Sequence, residues 1–300
     1  MPDPAPFPLA GEAFSTLAAM VWALAFVLFK WCGETIPPLA LNLFKNVLAI
    51  PLFTITILIV GKTQWKAGTL EEYTILIISG IIGIAAADTL LFAGLNRLGA
   101  GLTAIVECMW APIVAVCAYF YLGERLSTTD AFGGALIIAG ILLGTVKFRG
   151  NNHAWSGILP GVLLAASAVL LMAIGIVIAK PILDRSPVLW VTQVRLVAGT
   201  LALALLCLFT PSMRTHFKHF RPRRSWRVSV PASILGSYLA MAVWVAGMKY
   251  TLASVAAILN QFHILFVIVF AAIILHEPLG ARKLAAVGLG VIGAIIVNLY

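Results

Sequence analysis

A chain of 300 residues that is 62% hydrophobic and only 10% charged, with a mean hydropathy of +1.05, is not a water-soluble domain; soluble chains carry about 25% charged residues. The formal net charge of +9 gives no case for nucleic-acid binding, because the one basic cluster has no accompanying domain to present it. Cys32, Cys108, Cys117 and Cys207 have no paired spacing and are read as small packing residues, with no metal or disulfide role.

In chain order, Met1–Pro8 carries no Lys or Arg, unlike the positive n-region of a cleaved signal peptide, so the first apolar run is expected to stay in the protein. Ten apolar runs follow: 13–32, 37–60, 74–95, 101–122, 130–147, 157–179, 187–210, 228–248, 252–275 and 282–299. They match the roughly 18 or more residues that a bilayer crossing requires. Because they are continuous rather than alternating, they predict helices and not barrel strands. The connections are short. The reading is an all-α polytopic membrane protein of ten transmembrane helices with no soluble domain. Small residues four apart, Gly140 with Gly144, Gly157 with Gly161 and Gly290 with Ala294, mark faces where helices approach closely. Trp65, Tyr73, Trp155, Trp190, Trp226 and Tyr300 stand at run ends and read as interfacial anchors. The connection between the seventh and eighth runs holds Arg214, Lys218, Arg221, Arg223, Arg224 and Arg227, whose expected partner is the anionic headgroup layer of the bilayer.

Residues 92–145 repeat at 245–298. The shift, 277 − 124 = 153, sets Ala93-Gly94 on Ala246-Gly247, Ala104-Ile105 on Ala257-Ile258, Val114 on Val267, Glu124 on Glu277 and Gly140 on Gly293. Earlier, a shift of 195 − 45 = 150 sets Lys30 on Lys180, Pro37 on Pro187 and Lys45 on Arg195. The fourth run thus falls on the ninth, an odd number of crossings away, so paired helices must run in opposite directions. This predicts a 5+5 inverted repeat, with residues 1–150 as the first five-helix unit and 151–300 as the second. Sites in such folds lie near the midplane, where the halves meet.

Charged groups in a membrane span cost about 2.5–3.5 kcal/mol on insertion scales and so need a reason. Glu107 lies in the fourth run with Trp110 one turn on; the repeat places Asn260 and His263 opposite them, with Gln261 alongside. Glu107, Trp110, Asn260, Gln261 and His263 are therefore the candidate lining of one shared cavity. The bland alternative is that Glu107 and His263 pair with each other, or with Lys45 or Arg195, and only hold the bundle together. Glu107 and His263 can exchange protons, which leaves proton coupling open. Asp88 aligns with Met241 and either caps a break before Thr89 or faces the cavity. The twins Lys45 and Arg195 either snorkel, form structural ion pairs, or contact a substrate carboxylate or phosphate. Trp22, Tyr238 and Trp244 are further candidate lining rings, the alternative being lipid or core contact.

No catalytic residue or cofactor is expected. His276-Glu277-Pro278 opens like a zinc protease motif, but Gly280 stands where the second His belongs. No Gly-x-x-x-x-Gly-Lys run is present. For orientation, the loops on the face of the basic connection carry Lys30, Arg97, Lys147, Arg149, the six residues above, Arg282 and Lys283. The other face has Lys62, Lys66, Arg125, Lys180, Arg185 and Lys249. The positive-inside rule then leaves both termini outside.

Tyr121-Leu-Gly-Glu-Arg-Leu126 followed by Gly133, Gly134, Gly140 and Gly144 resembles the EamA-type members of the drug/metabolite transporter superfamily. Leu275-His-Glu-Pro-Leu279 before Gly288, Gly290 and Gly293 resembles the same signature in that family's second half. Pro112 matches a proline common in the family's fourth span, whereas Leu265 at the equivalent point of the ninth departs from the pattern. Lys45 and Arg195 sit where the family tends to carry a basic residue. The resemblance covers the whole chain and implies a secondary transporter of the inner (cytoplasmic) membrane, often an exporter of amino acids, metabolites or toxic compounds. It also implies cytoplasmic termini, against the charge count. A Glu107 carboxylate beside His263 suits a solute with an amine and an apolar body, carried by a monomer or a homodimer. The competing readings are a membrane sensor or assembly subunit that only binds its ligand, and an intramembrane enzyme on lipid-linked substrates.

Overall fold

The computed structural model describes residues 9–61, 65–122, 128–145, 153–221, 224–250, 259–260, 262–278 and 280–298; Met1–Pro8, Glu124, Arg223, Gln261 and Tyr300 lie outside them. Regular structure among the described residues is all helical: α1 (Ala10–Cys32), α2 (Pro38–Val60), α3 (Leu70–Leu98), α4 (Ala100–Glu107), α5 (Trp110–Leu122), α6 (Thr128–Thr145), α7 (His153–Leu183), α8 (Val188–Phe209), α9 (Trp226–Ile234), α10 (Ala240–Tyr250), α11 (His263–Ile274) and α12 (Ala281–Asn298). Six helical stretches have the length and apolar composition to cross a membrane: Ala10–Cys32, Pro38–Val60, Leu70–Leu98, Ala100–Tyr121, Ile158–Leu183 and Val188–Phe209. Outward apolar side chains such as Leu58 (74% exposed), Ile59 (79%) and Phe120 (80%) give the bundle a surface suited to acyl chains.

Local chemistry sets the helix starts. Pro37 precedes α2 at φ −57° and Pro187 precedes α8 at φ −59°, twin positions where a fixed proline φ leads into a helix. A capping box opens α3: the Glu72 amide donates to Thr69 Oγ1 at 3.2 Å and the Thr69 amide to Glu72 Oε2 at 3.0 Å. Glu72 Oε1 also accepts from Lys66 Nζ at 2.8 Å and lies 3.4 Å from Arg185 Nη2, while Lys66 reaches Ser186 Oγ at 3.0 Å. The connection before α3 is thereby tied to the turn between α7 and α8. Trp190 is not the interfacial anchor expected from its place at a run end. It is 1% exposed, edge-on to Tyr73 with ring centroids 5.7 Å apart and with Lys66 Nζ 5.7 Å from its ring.

Helix α3 is not regular along its length. Residues Ile81–Ala86 form a π segment, and a second, Leu235–Leu239, joins α9 to α10. Their last residues are separated by 239 − 86 = 153, the repeat shift. Glycines let α3, α7 and α8 touch at backbone level here: a Cβ on Gly80 would stand 2.2 Å from Arg195 O, one on Gly175 2.9 Å from Gly83 Cα, and Ser79 Oγ donates to Gly175 O at 2.6 Å. Helices α6 and α12 pack closely, a Cβ on Gly140 falling 2.6 Å from Ala286 O and 3.1 Å from Gly290 N, both glycines of the expected faces, and one on Gly293, outside those pairs, 2.5 Å from Gly133 O.

After α8, a 3-10 stretch, Pro211–Phe220, turns Phe217, Phe220 and Met213 toward Leu43, Leu203 and Cys207. Phe44 meets both Phe220 and Trp226 with ring centroids 5.5 Å apart. Arg214, Lys218, Arg221, Arg224 and Arg227 remain exposed. Apolar rings inward and basic groups outward is the arrangement of a segment lying at an interface.

Candidate functional site

Helix α2 presents Asn42, Lys45 and Asn46 three and four residues apart, hence on one face. Lys45 Nζ donates to Asp88 Oδ2 at 2.7 Å and to Asn46 Oδ1 at 2.8 Å; Asn46 Nδ2 donates to Asn42 Oδ1 at 2.9 Å. Asn42 Nδ2 in turn reaches Ile84 O at 2.9 Å, Ala85 O at 3.1 Å and Thr89 Oγ1 at 3.0 Å. The π segment frees carbonyls that a regular helix would bond, and the Asn42 amide satisfies them. Helix α3 has no break before Thr89, so Asp88 is not a cap; it holds the Lys45 ammonium, and Lys45 has the ion-pair fate of its three alternatives. The Asp88 field also reaches Glu107 and Arg195. Asn42 and Asn46, which tie α2 to α3, are absent from the residues expected from sequence. Two amides one turn apart inside an apolar run were the signal that marks them.

The fourth run is one span-length stretch, Ala100–Tyr121, as expected, but it tightens locally, with the Cys108 amide donating to Ile105 O at 3.2 Å and the Met109 amide to Val106 O at 3.0 Å. α4 ends at Glu107, Cys108 and Met109 form a turn, and α5 begins at Trp110. In the second copy Phe262 is a turn residue and α11 begins at His263, and 263 − 110 = 153. His263 Nδ1 lies 2.9 Å from Asn260 O across that turn. Trp22 and Trp244 approach with ring centroids 6.3 Å apart; Tyr238 shares a 2.7 Å hydrogen bond with Thr56 Oγ1 and stands edge-on to Phe53. Four expected site residues keep a buried polar atom with no hydrogen-bond partner among the described residues: Glu107 Oε2, Arg195 Nε, Trp244 Nε1 and Asn260 Oδ1. Leaving such groups unmade costs about 1–3 kcal/mol each, and bound solute or water at these points removes that cost. A groove of about 330 Å³ lined by Leu90, Arg97, Pro160, Leu163, Leu164 and Ser167 contains none of these residues.

A further contact joins distant parts of the chain. Helix α11 ends in a turn in which the Leu275 and Glu277 amides both donate to Ala271 O, at 3.0 and 3.2 Å, with His276 in the left-handed region at φ +54°. The Glu277 carboxylate then accepts from the first amides of α4, Ala100 at 2.7 Å and Gly101 at 3.2 Å, and from Lys283 Nζ at 2.8 Å. Gly99, at φ +82°, brings the chain close enough that a Cβ there would meet Glu277 Oε1 at 2.8 Å. Burial pushes the Glu277 carboxyl up, but the Lys283 ammonium and the two amides outweigh it and hold the group below the usual carboxylate range. A depressed folded pKa contributes stability that is present above the unfolded value of about 4.3 and is lost as pH falls through the folded one. Glu277→Gln is therefore expected to lower the melting temperature at pH 7, by the equivalent of about 0.5–2 kcal/mol for a lost helix cap. Melts repeated downward from pH 5 should show the variant and wild type converging.

Three comparisons bear on this geometry. A family model described as the EamA-like transporter family matches the sequence twice, over residues 9–146 and 159–299. A Bacillus subtilis (strain 168) protein named uncharacterized transporter YvbV is 24% identical over 289 residues, covering 93% of this chain and 88% of the relative. An Archaeoglobus fulgidus protein named uncharacterized transporter is 23% identical over 187 residues, 62% of this chain and 63% of its own length. A protein known from a crystal structure superposes with a TM-score of 0.66 over 96% of both chains at 18% identity, a likeness of fold.

Proposed function

Because this chain belongs to the EamA-like transporter family, and is thus a membrane transporter rather than an enzyme, we propose that it is a secondary carrier that moves a small organic solute by alternating access. The proposed frame is ten spans in a 5+5 inverted repeat, residues 1–150 against 151–300. Its support is the double family match and the recurrence of helix starts and π segments at the 153 shift. One chain supplies both halves, so the proposal requires no second copy. Its place is the inner membrane, with the exposed Arg214, Lys218, Arg221, Arg224 and Arg227 against anionic headgroups. The direction assigned is export.

The observation that carries the reading is the turn at Cys108 and Met109, which interrupts the α-helix of the fourth run, with Phe262, the twin of Met109, also a turn residue. Discontinuous helices in carriers turn their free ends and unwound backbone toward the solute. Here Glu107 closes one half-helix, Trp110 opens the next, and Asn260 and His263 stand at the twin point. Glu107, Trp110, Asn260, Gln261 and His263 are assigned to the solute, with Trp22, Trp244 and Tyr238 as flanking rings. The test is flux. Purified chain reconstituted into proteoliposomes is expected to release a preloaded solute, among amino acids, nucleosides and small organic acids, down its gradient. A protein that binds such a solute with no net movement in either direction is a sensor and not a carrier.

A further inference from the structure

Lys45 and Arg195 hold equivalent places in α2 and α8, yet their surroundings differ. Lys45 is satisfied by Asp88 Oδ2 at 2.7 Å and Asn46 Oδ1 at 2.8 Å. The Arg195 guanidinium makes no hydrogen bond and no ion pair among the described residues, and its buried Nε has no acceptor. The repeat explains the difference. Two carboxylates, Asp88 and Glu107, accompany the cation of the first copy; at the 153 shift their counterparts are Met241 and Asn260. Met241, with Ile84 and Tyr238, packs against the apolar cluster that contains Leu196, the residue next to Arg195. The second copy has kept the cation and has neither acid.

An unpaired guanidinium inside a span is expensive, and unlike an ammonium it does not shed its proton. On the third span the surface it meets is bare: a Cβ on Gly83 would stand 3.2 Å from Arg195 Nη2. Five N–H donors in a planar fork fit a carboxylate with two parallel bonds. The charge balance selects the same ligand. In the state in which Glu107 holds its proton, Lys45, Arg195 and Asp88 together leave one positive charge, and the Asp88 field already acts on Arg195; a monoanion closes that balance, whereas a phosphate dianion places a second negative charge against Asp88.

We propose that Arg195 is the anion-binding arm of the site and that the transported solute carries a carboxylate, which takes the place that Asp88 has beside Lys45. This rests on the carrier reading and names the solute's chemistry.

The experiment uses the full chain in detergent: wild type, Arg195→Met and Met241→Asp, each melted in chloride and, at matched ionic strength, with acetate, L-phenylalanine, phenethylamine or inorganic phosphate. Acetate and L-phenylalanine should raise the wild-type melting temperature, on the order of 5 °C at a hundred times the dissociation constant. Phenethylamine, which lacks the carboxylate, and phosphate should not. Arg195→Met should lose the response. Met241→Asp, which returns the missing acid from within, should melt above wild type without ligand and also lose the response; this arm decides the matter even if Arg195→Met does not fold. The proposal fails if Met241→Asp melts below wild type, if no carboxylate stabilises wild type, if phosphate alone does, or if Arg195→Met responds like wild type. Flux separates this from the carrier reading. A solute moved equally by wild type and Arg195→Met sinks the inference and leaves the carrier; Arg195-dependent stabilisation with no net flux does the reverse.

Discussion

Asp88→Asn should be the most damaging single substitution in the membrane core, lowering stability by about 3–5 kcal/mol. The carboxylate is the only charged acceptor of Lys45 among the described residues, at 2.7 Å, and Lys45 is 8% exposed. Removing it strands an ammonium in a medium where a charge is costly. The pair itself is weaker evidence for stability than its absence suggests, because replacing both members by apolar or neutral groups of similar size is often close to neutral. The double variant Lys45→Met with Asp88→Asn is therefore expected to melt within a few degrees of wild type, while Asp88→Asn alone melts far below it. Thermal unfolding in detergent measures both. If the double variant is as unstable as the single one, the network through Asn46 and Asn42 is what matters, and the charge pairing is secondary.

Proton coupling through Glu107, left open by the sequence, requires that Glu107→Gln abolish gradient-driven accumulation while leaving exchange intact. Glu107 ends α4 at the turn, keeps one carboxyl oxygen without a hydrogen-bond partner, and lies in the field of Asp88. Gln preserves its size and accepting oxygen but carries no proton. A pH difference of one unit is worth about 1.4 kcal/mol per proton, hence about tenfold accumulation for a one-proton carrier. On that coupling, proteoliposomes with an imposed pH gradient show the accumulation with wild type and none with Glu107→Gln, whereas counterflow at equal pH continues in both. Unchanged accumulation in the variant removes Glu107 as the proton site.

Helices were legible wherever composition alone decides. Continuous apolar runs place α1, α2 and α8 to within a few residues, and the repeat anticipates that Pro187 opens α8 as Pro37 opens α2. What sequence left open depends on partners far along the chain. Lys45 carried three possible fates, and only the position of Asp88, 43 residues away, decides between them. Trp190 at a run end suits a headgroup layer equally well as a core, until Tyr73, Gly68 and Lys66 close over it. The π segment of α3 has no local signature, because the Asn42 amide that satisfies its carbonyls comes from another helix. Glu277 was visible as half of a repeated Glu pair, but its capping of Ala100 spans 177 residues. The site residues themselves were marked by polarity in an apolar run, a signal that says where a group is and not what it meets.

Alternating access predicts that a group at these two turns can be reached from each side of the membrane in turn. The direct measurement is labelling of Asn260→Cys, in a chain with Cys32, Cys108, Cys117 and Cys207 replaced, by an impermeant maleimide in right-side-out and inverted vesicles. The account predicts reaction from both faces, faster in Glu277→Gln from the face that Glu277 occupies, where its bonds to Ala100 and Gly101 are lost. Reaction from one face alone, whichever variant is used, or from neither, would contradict it.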